Sequence, residues 1–196
     1  WWVLTLLILS VVLIAAGGYV INDYFDVKID RINRPDDLIV TRVISREMAM
    51  RIFQVCTILG VLAGIATAWC AHSWNLLFVY IVIPGLLWFY SASYKRILLV
   101  GNLVVAFVSA LVPMLVAMVN VDMLRFQYQD SLVHTPIVGE LYLWIGGFAL
   151  FAFLLTWVRE IVKDMEDIEG DCELECRSMP IVWGIPATKV VVTILL

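Results

Sequence analysis

Charge is scarce in this sequence. Only 15% of its 196 residues are Asp, Glu, Lys or Arg, while 63% are hydrophobic. A water-soluble domain of this length has no means of hiding so much apolar surface, and the soluble classes are excluded. Cysteine is scarce as well: Cys56, Cys70, Cys172 and Cys176 make no disulfide framework. The first two lie in an apolar stretch, where burial is the ordinary fate of a thiol. Cys172-x3-Cys176 lacks the third and fourth soft ligands that a zinc site requires. The opening segment lacks the basic n-region and small-residue cleavage site of a signal peptide, so a spanning helix is expected there. Also missing is the Asp-Gly-x2-Ala-Arg arrangement expected of a phosphotransferase that builds phospholipids.

What the sequence has in quantity is uninterrupted apolar chain. Stretches 1–22, 52–94, 97–121, 141–158 and 178–188 carry no charged side chain, and mean hydropathy is +0.96. The second stretch is too long for one crossing and is divided by His72-Ser73-Trp74-Asn75. Since about 20 apolar residues cross a bilayer, helices are expected at roughly 1–21, 48–71, 75–93, 98–120 and 140–163, with a sixth starting near 186. The fold class is therefore all-α, a polytopic membrane helical bundle, with residues 1–196 forming a single domain. Trp1 is not an ordinary start and the last residues stop inside an apolar run, so the sequence reads as incomplete at both ends.

The few basic residues set the topology. Of the 13, all but Arg125 fall on one side in this helix count, and positive-inside bias makes that side cytoplasmic. No nucleic-acid partner and no obligatory protein partner is called for. Pro35 discourages continuation of the first helix into the polar loop 31–47, and Ser45 with Met48 marks the start of the next. Loop 121–139, the longest on the outer side, is assigned no chemistry. Gly60-x3-Gly64 suits close helix packing within the chain, and Pro84 and Pro113 are expected to kink their spans.

The acidic residues are arranged, not scattered. Asp23-x2-Asp26-x3-Asp30 recurs 141 residues later as Asp164-x2-Asp167-x3-Asp171. Spacings of i, i+3 and i+7 put three carboxylates on one helical face. A solvated helix end is the plain alternative, but carboxylates near a helix C-terminus oppose its dipole. That alternative also leaves the repetition on the same membrane side unexplained. Six converging carboxylates repel unless a cation lies between them, and hard divalent ions such as Mg2+, completed by water and phosphate oxygens, meet the need. The pattern points to a metal-bridged diphosphate site in which Asp23, Asp26, Asp30, Asp164, Asp167 and Asp171 are the metal ligands. Lys and Arg can neutralise the remaining diphosphate oxygens; of the basic residues nearby, Lys95, Arg34 and Arg177 are the best candidates, while Asn22 either orients a metal-bound water or a phosphate oxygen or simply caps backbone groups. Tyr24, Tyr90 and Tyr94 are interfacial anchors or an electron-rich wall beside a developing cation.

At these residues the sequence resembles the UbiA intramembrane prenyltransferases. Asn22-Asp23-Tyr24-Phe25-Asp26-Val27-Lys28-Ile29-Asp30 is similar to the first aspartate-rich motif of that family, and Arg159 to Asp171 to the second. Tyr90-Ser91-x2-Tyr94-Lys95-Arg96 and Gly101-Asn102 resemble its weaker landmarks. Where many members continue Arg-Pro-x-Pro-Ser-Gly after the first motif, this sequence has Asp36-Asp37-Leu38-Ile39-Val40-Thr41 after Pro35. The resemblance implies a bundle of about nine helices, of which six are present here. It also implies Mg2+-dependent transfer of a prenyl group, possible in several chain lengths, from a prenyl diphosphate within membrane lipid. Asp26, Asp30, Asp167 and Asp171 are then the catalytic residues, and Asn22, Lys95, Arg34 and Arg177 bind the diphosphate. The second motif looks most like the branch that prenylates glyceryl phosphate ethers, the digeranylgeranylglyceryl phosphate synthase-like branch. An aromatic acceptor of the quinone, haem or chlorophyll type stays open. A divalent-cation transporter would also put carboxylates in helices, though nearer mid-membrane.

Overall fold

In the computed structural model, which describes residues 1–36, 38–129, 135–173 and 175–196, the chain is helical nearly throughout. In order come α1 (Trp2–Asn33), α2 (Arg46–Cys70), α3 (Asn75–Ala92), a 3-10 turn (Tyr94–Arg96) and α4 (Val100–Tyr128). They are followed by α5 (Ile137–Glu166), α6 (Ile168–Glu173), α7 (Met179–Trp183) and α8 (Ile185–Leu195). The first five α-helices are long and apolar enough to cross a membrane. Their exposed faces are apolar too: Leu143, Trp144, Phe148, Phe151 and Leu155 form a bare stripe on α5, as a lipid-facing surface requires. The expected outer loop 121–139 lies partly outside the described residues, as does Asp37 in the loop after Pro35.

Two helix ends differ from expectation. α1 runs about three turns beyond residue 21, through the whole first acidic motif, and stops at Asn33. Its polar tail persists as helix because the carboxylates find partners inside the protein, and Pro35 ends it two residues on. α4 likewise passes residue 120 and reaches Tyr128. Ser45 behaves as expected, its hydroxyl accepting the Met48 N–H at 3.2 Å to cap α2.

The most extensive pairings are α1 with α2 and α4 with α5, and α3 joins them by touching α1, α2 and α4. Both glycines of Gly60-x3-Gly64 are spent within the chain: Gly60 faces Ile14 and Leu13 of α1, and Gly64 lies against the Tyr80 ring of α3. α3 and α4 continue through Pro84 and Pro113. Apolar packing of Leu7, Ile14, Ala68, Leu76, Tyr80, Leu115 and Val119 fixes these four helices together. With α5 packed along α4, the charged ends of α1 and α5 lie at the same end of the bundle, where the acidic motifs meet.

Candidate active site between the two acidic motifs

The first triad follows its helical register. Asp23, Asp26 and Asp30 project from the last turns of α1, with Asp26 buried and the others half-buried. The second triad departs from the expectation of one continuous helical face. Asp164 belongs to the last turn of α5, Asp167 is its C-cap, and Asp171 lies in α6. The break is mild, because Asp167 N–H still bonds Lys163 O at 3.0 Å and Asp171 N–H bonds Asp167 O at 3.1 Å. Near-helical spacing is therefore kept while the chain turns the last carboxylate toward α1.

All six carboxylates line one cavity of about 230 Å³. Of the expected diphosphate contacts, Asn22, Lys95 and Arg34 line it as well. Arg177 does not: its side chain is exposed and off the cavity wall, and its backbone N–H bonds Arg96 O at 3.0 Å. That backbone bond ties its loop to the 3-10 turn.

Matched donors meet carboxylates of both motifs. Asn22 Nδ2 donates to Asp26 Oδ2 at 2.7 Å, and the Lys95 ammonium is ion-paired with Asp26 Oδ1. Arg34 reaches Asp167 Oδ1 at 3.0 Å and Glu166 at 3.8 Å. Asn102 Nδ2 donates to Asp164 Oδ2 at 2.9 Å. No three His, Cys, Asp or Glu side chains among the described residues stand close enough together to hold an ion in this arrangement.

Lys95 owes its place to a glycine. A Cβ on residue 101 would lie 2.7 Å from Lys95 Cα, so only Gly101 lets the first turn of α4 pack on the 3-10 turn. Leu99, in the left-handed region at φ 64°, makes the bend between them. Burial pushes the Lys95 ammonium down to about 7, helped by Arg96 and Lys163, while its contact with Asp26 favours the charged form. Burial raises the Asp171 carboxyl, and neighbouring Asp167 adds to the rise. Burial also raises the Cys176 thiol, which makes it a poorer thiolate ligand.

Several wall residues were not singled out by the sequence. Asn102 was visible only as part of a landmark, Lys163 only as one of several cations, and Glu160 only inside the second motif, with no role of its own. Glu160 sits one turn before Asp164, and that i, i+4 spacing was the available signal. The divergent loop contributes Leu38, Ile39 and Val40 to the wall, with Val40 packed on Val27 and Ala49.

Sequence comparison matches the UbiA prenyltransferase family over residues 1–196. The chain belongs to that family. It is an integral, multi-pass membrane protein, in keeping with its five long apolar helices. Relatives include the digeranylgeranylglyceryl phosphate synthase of Thermococcus kodakarensis, 35% identical over 91% of this chain and 56% of the relative. That of Methanothermobacter thermautotrophicus is 36% identical over 92% of this chain and 57% of the relative. The chain thus spans a little over half the length of these curated relatives. A solved structure described as giving structural and mechanistic insights into digeranylgeranylglyceryl phosphate synthase in membranes aligns with a TM-score of 0.60. It is 27% identical, and the match covers 97% of this chain and 60% of that one.

Proposed function

We propose that this protein is an intramembrane prenyltransferase that moves a polyprenyl group, geranylgeranyl in the leading reading, from its diphosphate to a hydroxyl of a glyceryl phosphate ether. The observation that carries the reading is the meeting of both acidic motifs across one cavity with Lys95 and Arg34 on its wall. The kinship with digeranylgeranylglyceryl phosphate synthases supports the acceptor class over an aromatic one. A cation transporter gains no support from carboxylates gathered at one end of the bundle.

The donor set fits a hard divalent cation: seven carboxylates, the six aspartates and Glu160, line the cavity with two amides, and their oxygens are the donors that Mg2+ and its waters accept. Asp23, Asp26 and Asp30 from one side and Asp164, Asp167 and Asp171 from the other would hold it. What Mg2+ supplies when bound is neutralisation of the departing diphosphate. The protein's own groups do the rest. Lys95 and Arg34 are exchangeable counter-charges that turn from Asp26 and Asp167 to diphosphate oxygens as the donor enters. Asn22 and Asn102 orient Asp26 and Asp164. Leu38, Ile39 and Val40 cover the site and limit water attack on the allylic centre. Residues 1–196 act as one domain in this reading, and the site opens toward the cytoplasm, a side supported by the helix count in which Arg125 alone of the 13 basic residues falls opposite the motifs.

The test uses the full-length protein in nanodiscs with radiolabelled geranylgeranyl diphosphate, Mg2+ and either a glyceryl phosphate ether or an aromatic acceptor. Labelling of the ether, lost in Asp26→Ala/Asp167→Ala, is the expected result. Labelling of the aromatic acceptor alone would reassign the acceptor, and no product with either would remove the transferase reading.

A further inference from the structure

One strong contact between the motifs involves no carboxylate side chain. Asn33 is the last residue of α1, and its amide is used at both ends. Nδ2 donates to the backbone carbonyl of Asp167 at 3.2 Å, and Oδ1 accepts the backbone N–H of Gly170 at 2.9 Å. The two bonds read the chain at the α5–α6 break, one on Asp167 itself and the other on the residue before Asp171. Gly170 is buried, and a Cβ built on it would fall 2.7 to 2.9 Å from the Asn33 amide atoms. The fit therefore needs an amide at 33 and no side chain at 170. A carboxylate at 33 could accept from Gly170 but could not donate to Asp167, and Ala could do neither.

We infer that Asn33 is a positioning residue, a clasp whose two hydrogen bonds to the backbone at Asp167 and Gly170 set the separation of the two carboxylate triads and so their joint affinity for a divalent cation and diphosphate. The inference rests on the proposed diphosphate chemistry. Asp30 stands one turn before Asn33 on α1, and Asp171 follows Gly170 directly. A shift at the clasp is thus delivered to a carboxylate of each motif. Arg34 adds its ion pair to Asp167 beside the clasp, but its side chain is exposed and bonds Asp167 through the carboxylate, not the backbone. The Asn33 amide is bonded at both ends and lies against a glycine.

The experiment compares wild-type full-length protein in nanodiscs with Asn33→Ala, Gly170→Ala and the double variant. Transfer is measured as a function of Mg2+, and thermal unfolding is measured without metal and with magnesium plus inorganic pyrophosphate. Each single variant is expected to raise the Mg2+ concentration for half-activation about tenfold or more, as for groups that orient metal ligands. Each should lose most of the thermal shift given by magnesium pyrophosphate, with kcat at saturating Mg2+ changed less. The double variant should be no worse than Asn33→Ala, because removing the amide opens the space that the methyl added by Gly170→Ala needs. Wild-type half-activation and an undiminished thermal shift in Asn33→Ala would overturn the clasp, as would simple additivity in the double variant. If Asn33→Ala does not fold, Asn33→Ser and Gly170→Ala decide by the same readouts. Failure of all of them to fold would also overturn it, since the residue would then hold the bundle and not the site. Absence of transfer by wild type would remove the prenyl-transfer reading, leaving the clasp to be judged by the pyrophosphate shift.

Discussion

Asn102 of α4 and Asp164 of α5 meet at 2.9 Å, amide Nδ2 to carboxylate Oδ2, and the asparagine is almost wholly buried. The bond fixes which lone pairs of Asp164 are left facing the cavity. Replacing Asn102 with Ala is expected to lower activity by about tenfold to a hundredfold through loss of that orientation. Stability should fall by only about 1 to 3 kcal/mol for the unpaired group. Steady-state transfer assays set beside thermal unfolding would separate the two effects, and an inactive protein that is also grossly unfolded would count against an orienting role.

Lys95 and Asp26 form an ion pair with both side chains largely shielded from solvent. Removing one member of such a pair leaves an uncompensated charge, at a cost of about 3 to 5 kcal/mol. Lys95→Met should destabilise the protein by an amount of this order, and adding Asp26→Asn should restore most of it. Activity should stay lost in both. Unfolding midpoints in nanodiscs would show the recovery, and its absence would mean that Lys95 matters to the bundle through packing alone.

Chelation should abolish transfer and added Mg2+ should restore it. Asp26→Asn and Asp167→Asn, which keep the shape and remove the charge, should each lower the rate by on the order of 10² to 10³, the scale for losing electrostatic stabilisation of a leaving group. Single-turnover labelling with excess protein measures this directly. Full activity in chelator would exclude the metal.

Gly64 and Gly146 provide a contrast within the bundle. Gly64 lies against the Tyr80 ring, whereas nothing stands within 4 Å of a Cβ on Gly146. Gly64→Val should therefore cost about 1 to 3 kcal/mol by overpacking. Gly146→Ala should be neutral or slightly stabilising, as Ala exceeds Gly in helix propensity by about 1 kcal/mol. Light scattering should show the same oligomeric state for both, because Gly60 and Gly64 are occupied inside the chain.

The acidic spacing was readable because it is a property of the residues alone. Three carboxylates at i, i+3 and i+7 announce a face, and a second set announces a partner. Helix ends were harder. Hydropathy stops at residue 21, yet α1 continues to Asn33, since its polar turns are satisfied by Lys95, Asn22 and the second motif, most of them far along the chain. The same reason hid Asn33 and Asn102: each bonds a residue more than 60 positions away. Arg177 shows the reverse case, a cation close to the motif in sequence whose side chain stands off the cavity wall. Proximity along the chain says little about direction at a turn between short helices.

The separation of the motifs also orders events in time. Asp26 finds Asn22 within its own helix and Lys95 just after α3, so its charge is matched within the first half of the chain. Asp164 emerges with its partner Asn102 already in place on α4. As ribosomes deliver the protein to the bilayer from the N-terminus, neither carboxylate waits for the opposite motif to be made. Each of these two carboxylates thus has a hydrogen-bond donor supplied by its own part of the chain, and Asn33 joins the two parts.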